Sequence, residues 1–182
     1  MNNVNDKIII QDNFFSKDML DKIKVDLTHQ KFTNRFTEHT DSIYQKIYFH
    51  AKLTEDHPVV LEVKKILKEK FELTYLNIDS QYFLSTKHEE ATPHSDVGHE
   101  YNCLIYLKGD FILNSGTGFY DYDEINNQYS LNTHVGFKEN RAIIFDSRIY
   151  HSSLQFNEGG KTRYCLANFI NRIETETEVK IA

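Results

Sequence analysis

The sequence has little of what makes a linker, a disulfide scaffold or a membrane anchor. Only two prolines and seven glycines occur in 182 residues, which disfavours low-complexity linkers. The two cysteines, Cys103 and Cys165, form no CxxC motif and no dense framework, so a disulfide-rich scaffold is excluded. Residues 1–6 are polar and precede no apolar run long enough for secretion or membrane insertion. We therefore expect a cytoplasmic protein with no membrane partner.

The sequence also lacks the excess of basic residues that is typical of nucleic-acid-binding proteins. It has 21 Lys and Arg against 27 Asp and Glu, a formal net charge of −6. Binding to phosphates needs a basic surface, so this balance disfavours a nucleic-acid partner, although a local basic patch remains open. The length and the 40% apolar composition fit a single domain over residues 1–182.

Two segments before residue 72 carry apolar residues at helical spacing. Ser16 is a good N-cap, because its hydroxyl can accept from a free amide of the first turn, and it predicts a helix over about 16–29. Pro58 suits the first turn of a second helix, which reaches about Lys70. We expect both helices to support one face of the remaining chain, over about 12–71. The repeating apolar residues are Met19, Leu20, Ile23 and Leu27, then Val60, Val63, Leu67 and Phe71.

From Leu73 onward the pattern changes to the alternation that is typical of strands. No further helical pattern appears, so the region of about 73–171 is expected to form a closed or sandwiched β-structure, giving an α+β, mainly β fold class. Upstream, residues 7–11 read as a short buried strand and residues 42–50 as another. The strands expected in the later region begin with Leu76 to Leu84 and continue at about 101–108, 117–122, 128–137, 141–146, 149–156 and 161–171.

Three residues in the strand-rich part could hold a metal ion. His94 and Asp96 are two apart, so both face the same way on an extended strand. His151 lies far along the chain, directly after a predicted buried strand at 140–146 and a bend at 147–150. Two imidazoles and one carboxylate leave half of an octahedron open, as in non-haem Fe(II) oxygenases, whereas a structural zinc site is closed.

Each of these signals has an ordinary alternative. An HxD pair occurs by chance, and a second copy, His39-Thr40-Asp41, lies in the N-terminal part of the sequence. A lone histidine such as His151 is usually structural or exposed. The context of the 94/96/151 set, inside an all-strand region, is what favours it over the second copy.

Arg163 is the candidate for binding a carboxylate ligand. It lies in an otherwise apolar strand with no acidic partner on that strand, and a buried guanidinium needs an anion. Its planar fork can bind a carboxylate through two N–H bonds. We further expect residues 151 and 163 to face one pocket across a β-hairpin with a three- or five-residue loop. The three-residue loop, 158–160, would pair His151 with Ala167.

The pattern HxD…H…R resembles the Fe(II)/2-oxoglutarate-dependent oxygenase superfamily, and within it the prolyl-4-hydroxylase-like branch. The resemblance covers most of the chain and is strongest over 93–169. It implies a double-stranded β-helix (jelly-roll, cupin-like) core with the two N-terminal helices packed on one face. It also implies that His94, Asp96 and His151 are the iron ligands and that Arg163 binds the distal carboxylate of 2-oxoglutarate.

Further residues around the co-substrate follow from the same resemblance. Tyr106, on the strand 101–107, would also touch the distal carboxylate, and Asn102 and Leu104 share its face and would line the pocket. Cys103 then points away and should not meet Cys165. Tyr82 matches a tyrosine that the family places near the co-substrate.

The implied activity is hydroxylation of a C–H bond with consumption of O2 and release of succinate and CO2. The substrate stays open between a peptidyl side chain such as proline and a small molecule. Acidic residues near the expected mouth (Glu89, Glu90 and Glu100) would favour a cationic or peptide substrate, or simply form a solvated loop. The alternatives are a non-catalytic cupin-like protein that binds a metal or small molecule, and a nucleic-acid dealkylase of the same superfamily.

Overall fold

The computed structural model describes residues 8–34, 48–74, 76–85, 92–109, 115–154 and 162–172. Its two helices are α1 (Lys17–His29) and α2 (Pro58–Phe71). The predicted N-cap of α1 is confirmed, because the Ser16 side chain accepts from the amide of Met19. Neither described helix is long and apolar enough to span a membrane.

The described strands form two sheets. The larger sheet has seven strands in the order β1-β8-β5-β10-β4-β3-β2, and the smaller has three in the order β7-β6-β9. From β5 to β10 the chain passes repeatedly between the sheets, with only β6 and β7 forming a hairpin within one sheet, which is the jelly-roll arrangement of the expected double-stranded β-helix. The strands are β1 (Ile8–Gln11), β2 (Thr33–Asn34), β3 (Tyr48–Lys52), β4 (Leu76–Ser85), β5 (Tyr101–Gly109), β6 (Gly116–Asp123), β7 (Gln128–Gly136), β8 (Ala142–Asp146), β9 (Tyr150–Leu154) and β10 (Arg163–Arg172).

The central strands of the larger sheet are buried on both faces, and each face carries its own apolar cluster. Successive side chains of a strand point to opposite faces, so neighbouring residues of β5, β8 and β10 join different clusters. The helix-side cluster joins Ile23 of α1 and Leu67 of α2 to alternate strand residues such as Ile105. The cluster between the sheets includes Tyr106, Phe119, Val135, Phe137, Ile143, Phe145 and Cys165.

The two cysteines lie on opposite faces of the larger sheet, as expected. Cys103 belongs to the helix-side cluster and Cys165 to the cluster between the sheets. Both are buried free thiols. Burial raises the pKa of each thiol, so both behave as small apolar residues here.

One local expectation, the burial of the first strand, was wrong. Residues 7–11 were expected to be a buried strand, but Ile9 and Ile10 of β1 are 47% and 50% exposed. The reason is that β1 is an edge strand, and β8 is its only partner among the described strands. The part of the 42–50 strand before Tyr48 and the proposed 158–160 loop lie outside the described residues.

The predicted pairing of His151 with Ala167 is also wrong. β9 and β10 belong to different sheets, and Ala167 pairs with Gln81 and Leu104 instead. The chain crosses from one sheet to the other between these strands, so hairpin register does not apply there.

Candidate metal centre

Backbone pairing brings the two histidines of the predicted metal set together. His94 forms an isolated antiparallel bridge with His151 of β9, in which each amide donates to the other carbonyl, at 3.0 and 2.8 Å. This bridge adds the segment around His94 to the smaller sheet beside β9. The amide of Asp96 then donates to Ser147 O at 2.9 Å, which fixes the third residue next to them.

The three side chains form one cluster. One ligand atom from each of His94, Asp96 and His151 lies within 4.8 Å of the others. Nε2 of His151 is 3.3 Å from Oδ2 of Asp96, and Nε2 of His94 is 3.9 Å from Oδ1. With metal–ligand bonds of about 2.1 Å, neighbouring ligand atoms of an octahedral site lie about 3 Å apart. The observed spacing is therefore close to what one metal ion needs.

Hydrogen bonds at Nδ1, the ring nitrogen that faces away from Asp96, orient both imidazoles for metal binding through Nε2. Nδ1 of His151 lies 2.9 Å from Ile149 O, and Nδ1 of His94 lies 3.2 Å from Thr92 O. A carbonyl only accepts, so each Nδ1 carries a proton, and Nε2, which faces Asp96 in both rings, is the nitrogen that binds a metal ion once it is deprotonated. Such contacts fix the tautomer and ring orientation of metal-binding histidines. The donor set thus fits a divalent transition metal.

Asp96 is held as a carboxylate. Burial alone would raise its pKa, but the hydrogen bond and charge of His151, the charge of His94 and the Asn102 amide outweigh burial. The pKa of Asp96 therefore lies below its ordinary value. A deprotonated carboxylate is the form that binds a metal ion.

A cavity of about 490 Å³ opens from the cluster into the space between the sheets. This volume is within the range of about 300–1,000 Å³ that small-molecule sites occupy. The residues lining it that matter below are His94, Asp96 and His151 at the metal cluster, Asn102, Leu104, Phe145 and Phe169 on the walls, and Ser85, Thr117, Ser153 and Arg163.

Arg163 is a buried cation in this cavity. It is 4% exposed, its Nη1 donates to Gly116 O at 3.0 Å, and its guanidinium lies 5.5 Å from the centre of the Tyr106 ring. Ser85 is its cross-strand partner on β4. Thr117 and Ser153 face each other across β6 and β9 and line the same cavity. A cation among hydroxyl groups is the chemistry that a carboxylate needs.

Tyr106 lies beside Arg163, but its hydroxyl already has protein partners. It shares a hydrogen bond of 2.7 Å with Thr117 and donates to Val135 O at 3.4 Å. Burial raises the pKa of Tyr106 to about 12, although the nearby Arg163 charge opposes this. Thr117, rather than Tyr106, lines the cavity, and the sequence analysis missed it. The only signal for Thr117 was its place after Gly116 at the start of a strand.

Tyr82 does not line the cavity, contrary to its expected place near the co-substrate. Tyr82 is buried in the helix-side cluster, and its hydroxyl donates to Asp26 of α1 at 2.9 Å. The strand alternates, so Phe83 and Ser85 face the cavity and Tyr82 faces away. We correct the assignment accordingly: Tyr82 anchors α1 to the sheet.

Asn102 and Leu104 do line the cavity, as expected. Asn102 contacts the metal cluster itself, because its side-chain amide donates to Oδ2 of Asp96 at 2.6 Å. Leu104 is a partly buried member of the cluster between the sheets.

A second, smaller pocket of about 270 Å³ adjoins the metal cluster and shares Asp96 and Phe169 with the cavity. One oxygen of Asp79 there pairs with Lys52 at 3.1 Å, and the other is buried without a hydrogen-bond partner among the described residues. The lining is mostly polar and comprises Asp79, Gln81, Ser95, Asp96, Val97, His99 and Phe169.

The second HxD pair and the acidic residues near the expected mouth give little support to the alternative interpretations. His39, Asp41, Glu89 and Glu90 lie outside the described residues. Glu100 is bound to Arg172, accepting from its amide at 3.0 Å and pairing with its guanidinium at 3.7 Å. This supports the surface interpretation of Glu100 over a role in binding substrate.

Comparison with known proteins gives the same fold. No protein-family model matches the sequence, and neither does any curated protein sequence. A 2OG-Fe(II) oxygenase family oxidoreductase from Burkholderia pseudomallei superposes with a TM-score of 0.68 at 10% identity, covering 92% of this chain and 86% of that one. A Pseudomonas putida prolyl-4-hydroxylase gives a TM-score of 0.63 at 11% identity, covering 91% and 93%.

HygX from Streptomyces hygroscopicus, with nickel, 2-oxoglutarate and hygromycin B bound, superposes with a TM-score of 0.61 at 9% identity, covering 90% of this chain and 82% of that one. At identities this low, structural similarity establishes the fold, and the chemistry has to be argued from the residues of the site. The chain has the double-stranded β-helix fold of the 2OG-Fe(II) oxygenases, prolyl-4-hydroxylases among them.

Proposed function

We propose that this chain is an Fe(II)- and 2-oxoglutarate-dependent dioxygenase that hydroxylates a C–H bond and releases succinate and CO2. The observation that carries the proposal is the His94, Asp96 and His151 cluster on a cavity that also contains the buried Arg163. Bound iron would supply the oxygen chemistry, and the protein would supply the metal ligands, the orientation and the exclusion of water.

On the co-substrate side, Arg163 would bind the distal carboxylate of 2-oxoglutarate. The hydroxyls of Thr117 and Ser153, which line the same cavity, would add hydrogen bonds to it. Tyr106 would support this contact through its bond to Thr117 and its ring beside the guanidinium. The 2-oxo acid end would then point toward the metal cluster.

On the substrate side, the smaller pocket beside Asp96 is the better candidate. It adjoins the metal cluster, and its polar wall includes the Asp79 carboxylate and the Gln81 amide. The Asp79 carboxylate favours a substrate that presents an N–H or O–H donor next to the carbon to be oxidised, whereas Oε1 of Gln81 already lies 2.8 Å from Nδ1 of His50. A peptide and a polar small molecule both meet this requirement, in keeping with the prolyl-4-hydroxylase and HygX likenesses.

The direct test uses metal-stripped protein supplied with Fe(II) and 2-oxoglutarate without oxygen. We expect a visible charge-transfer band, followed by O2 consumption and succinate formation when air is admitted. Asp96→Ala should lose all three signals, whereas His29→Ala, which removes a histidine at the end of α1, should keep them. A protein that binds both ligands but forms no succinate would instead be a cupin-like binding protein.

A further inference from the structure

Asn102 is a polar residue in apolar surroundings. It lies on β5 between Phe145 of β8 and Phe169 of β10, its direct cross-strand neighbours. It is 5% exposed and lines the cavity beside the metal cluster. Most side chains in such a place are apolar, so the amide needs an explanation.

The hydrogen bonding of Asn102 is one-sided. Its Nδ2 donates to Oδ2 of Asp96 at 2.6 Å, while its Oδ1 is buried and has no hydrogen-bond partner in the described part of the chain. The orientation of the amide is settled by chemistry, because a carboxylate only accepts and must face the NH2 group.

This arrangement is unfavourable for stability. A buried acceptor without a partner is destabilising, and an apolar side chain of similar size would avoid that penalty. By contrast, Asn168, on the neighbouring strand β10, has both ends satisfied: it donates to Cys103 O at 2.8 Å and accepts from the Ser80 hydroxyl at 2.7 Å. The hydrogen bonds of Asn168 account for its burial through the stability of the fold. The burial of Asn102 is accounted for only by its hydrogen bond to Asp96.

We propose that Asn102 is a positioning residue that holds the Asp96 carboxylate in the orientation in which it binds the metal. This inference rests on the proposed function. With Oδ2 fixed by the amide, the carboxylate cannot turn freely, so its oxygens stay beside the Nε2 atoms of His151 and His94. Hydrogen-bonded partners of metal ligands commonly have this orienting role.

The experiment measures Mn²⁺ binding by calorimetry and melting temperature for the full chain and three variants. Asn102→Leu and Asn102→Ala both remove the donor, and only leucine adds bulk, so a steric effect would separate them. We expect both to weaken Mn²⁺ binding by about 10–100-fold. The melting temperature of Asn102→Leu should equal or exceed that of the unmodified chain.

The matched control is Asn168→Leu, which should lower the melting temperature and leave Mn²⁺ affinity unchanged. If either Asn102 variant binds Mn²⁺ within twofold of the unmodified chain, the positioning role is wrong. It is also wrong if Asn102→Leu loses metal affinity only together with a large fall in melting temperature, since that is a structural effect. Failure of the unmodified chain to bind Mn²⁺ would overturn the proposed function itself.

Discussion

Replacing Arg163 by glutamine isolates the proposed carboxylate contact. The guanidinium is 4% exposed, so its bonds to a ligand would form away from bulk water. Two charge-assisted hydrogen bonds, discounted for what glutamine retains, amount to about 3 kcal/mol. At about 1.4 kcal/mol per factor of ten, 2-oxoglutarate affinity should fall about 100-fold. Arg163→Lys keeps the charge but loses the planar fork, so its affinity for 2-oxoglutarate should lie between those of the unmodified chain and Arg163→Gln.

The assay is anaerobic titration of the Fe(II)-loaded protein with 2-oxoglutarate, followed by the visible band. A matched ligand is 2-oxovalerate, which keeps the five-carbon 2-oxo acid but has a methyl group in place of the distal carboxylate. Its affinity should be weak and equal in the unmodified chain and Arg163→Gln. Arg148→Gln, at an exposed arginine paired with Asp146, is the control for charge. If Arg163→Gln binds 2-oxoglutarate as tightly as the unmodified chain, the co-substrate assignment is refuted.

Four further outcomes are expected. Tyr82→Phe should leave 2-oxoglutarate affinity unchanged and lower the free energy of unfolding by about 1 kcal/mol in urea denaturation, because the bond to Asp26 is lost. Burial, with the help of Asp26, raises the pKa of Tyr82 well above its ordinary value. The free energy of unfolding should therefore be unaffected below pH ~10 and fall above it by up to about 1.4 kcal/mol per pH unit, because the tyrosine ionises first in the unfolded chain. The melting temperature of Tyr82→Phe should fall less steeply with rising pH than that of the unmodified chain. Gly116→Ala should cost about 3 kcal/mol in the same denaturation assay, since a Cβ there would lie 2.1 Å from Val135 O. Asp79→Asn should lower kcat/KM for the substrate, once found, about tenfold and leave 2-oxoglutarate affinity unchanged, because the Asp79 oxygen in the smaller pocket loses its charge.

Much of the fold followed from local sequence patterns. The alternation from Leu76 onward predicted β4, and the apolar spacing with Ser16 and Pro58 predicted both helices to within one or two residues. These signals are local, because side-chain direction on one strand or helix depends only on its own period. The same period put Cys103 and Cys165 on opposite faces, which the structure confirms.

What the sequence did not reveal depends on contacts between distant strands. The hairpin argument treated β9 and β10 as partners because they are consecutive, but the jelly roll sends them to different sheets. Tyr82 was assigned from the family resemblance, whereas its face is set by the pairing of β4 with β10. The bond from Asn102 to Asp96 has no sequence signature, since the two residues meet only through the bend between them.

The most direct test of the central claim compares succinate formation from 2-oxoglutarate in the unmodified chain and in two histidine variants. His94→Ala and His39→Ala each remove the histidine of an HxD pair, so they are matched in chemistry. If the iron site is the cluster of His94, Asp96 and His151, His94→Ala should abolish Fe(II)-dependent succinate formation and His39→Ala should retain it. Activity that survives in His94→Ala and disappears in His39→Ala would contradict the account.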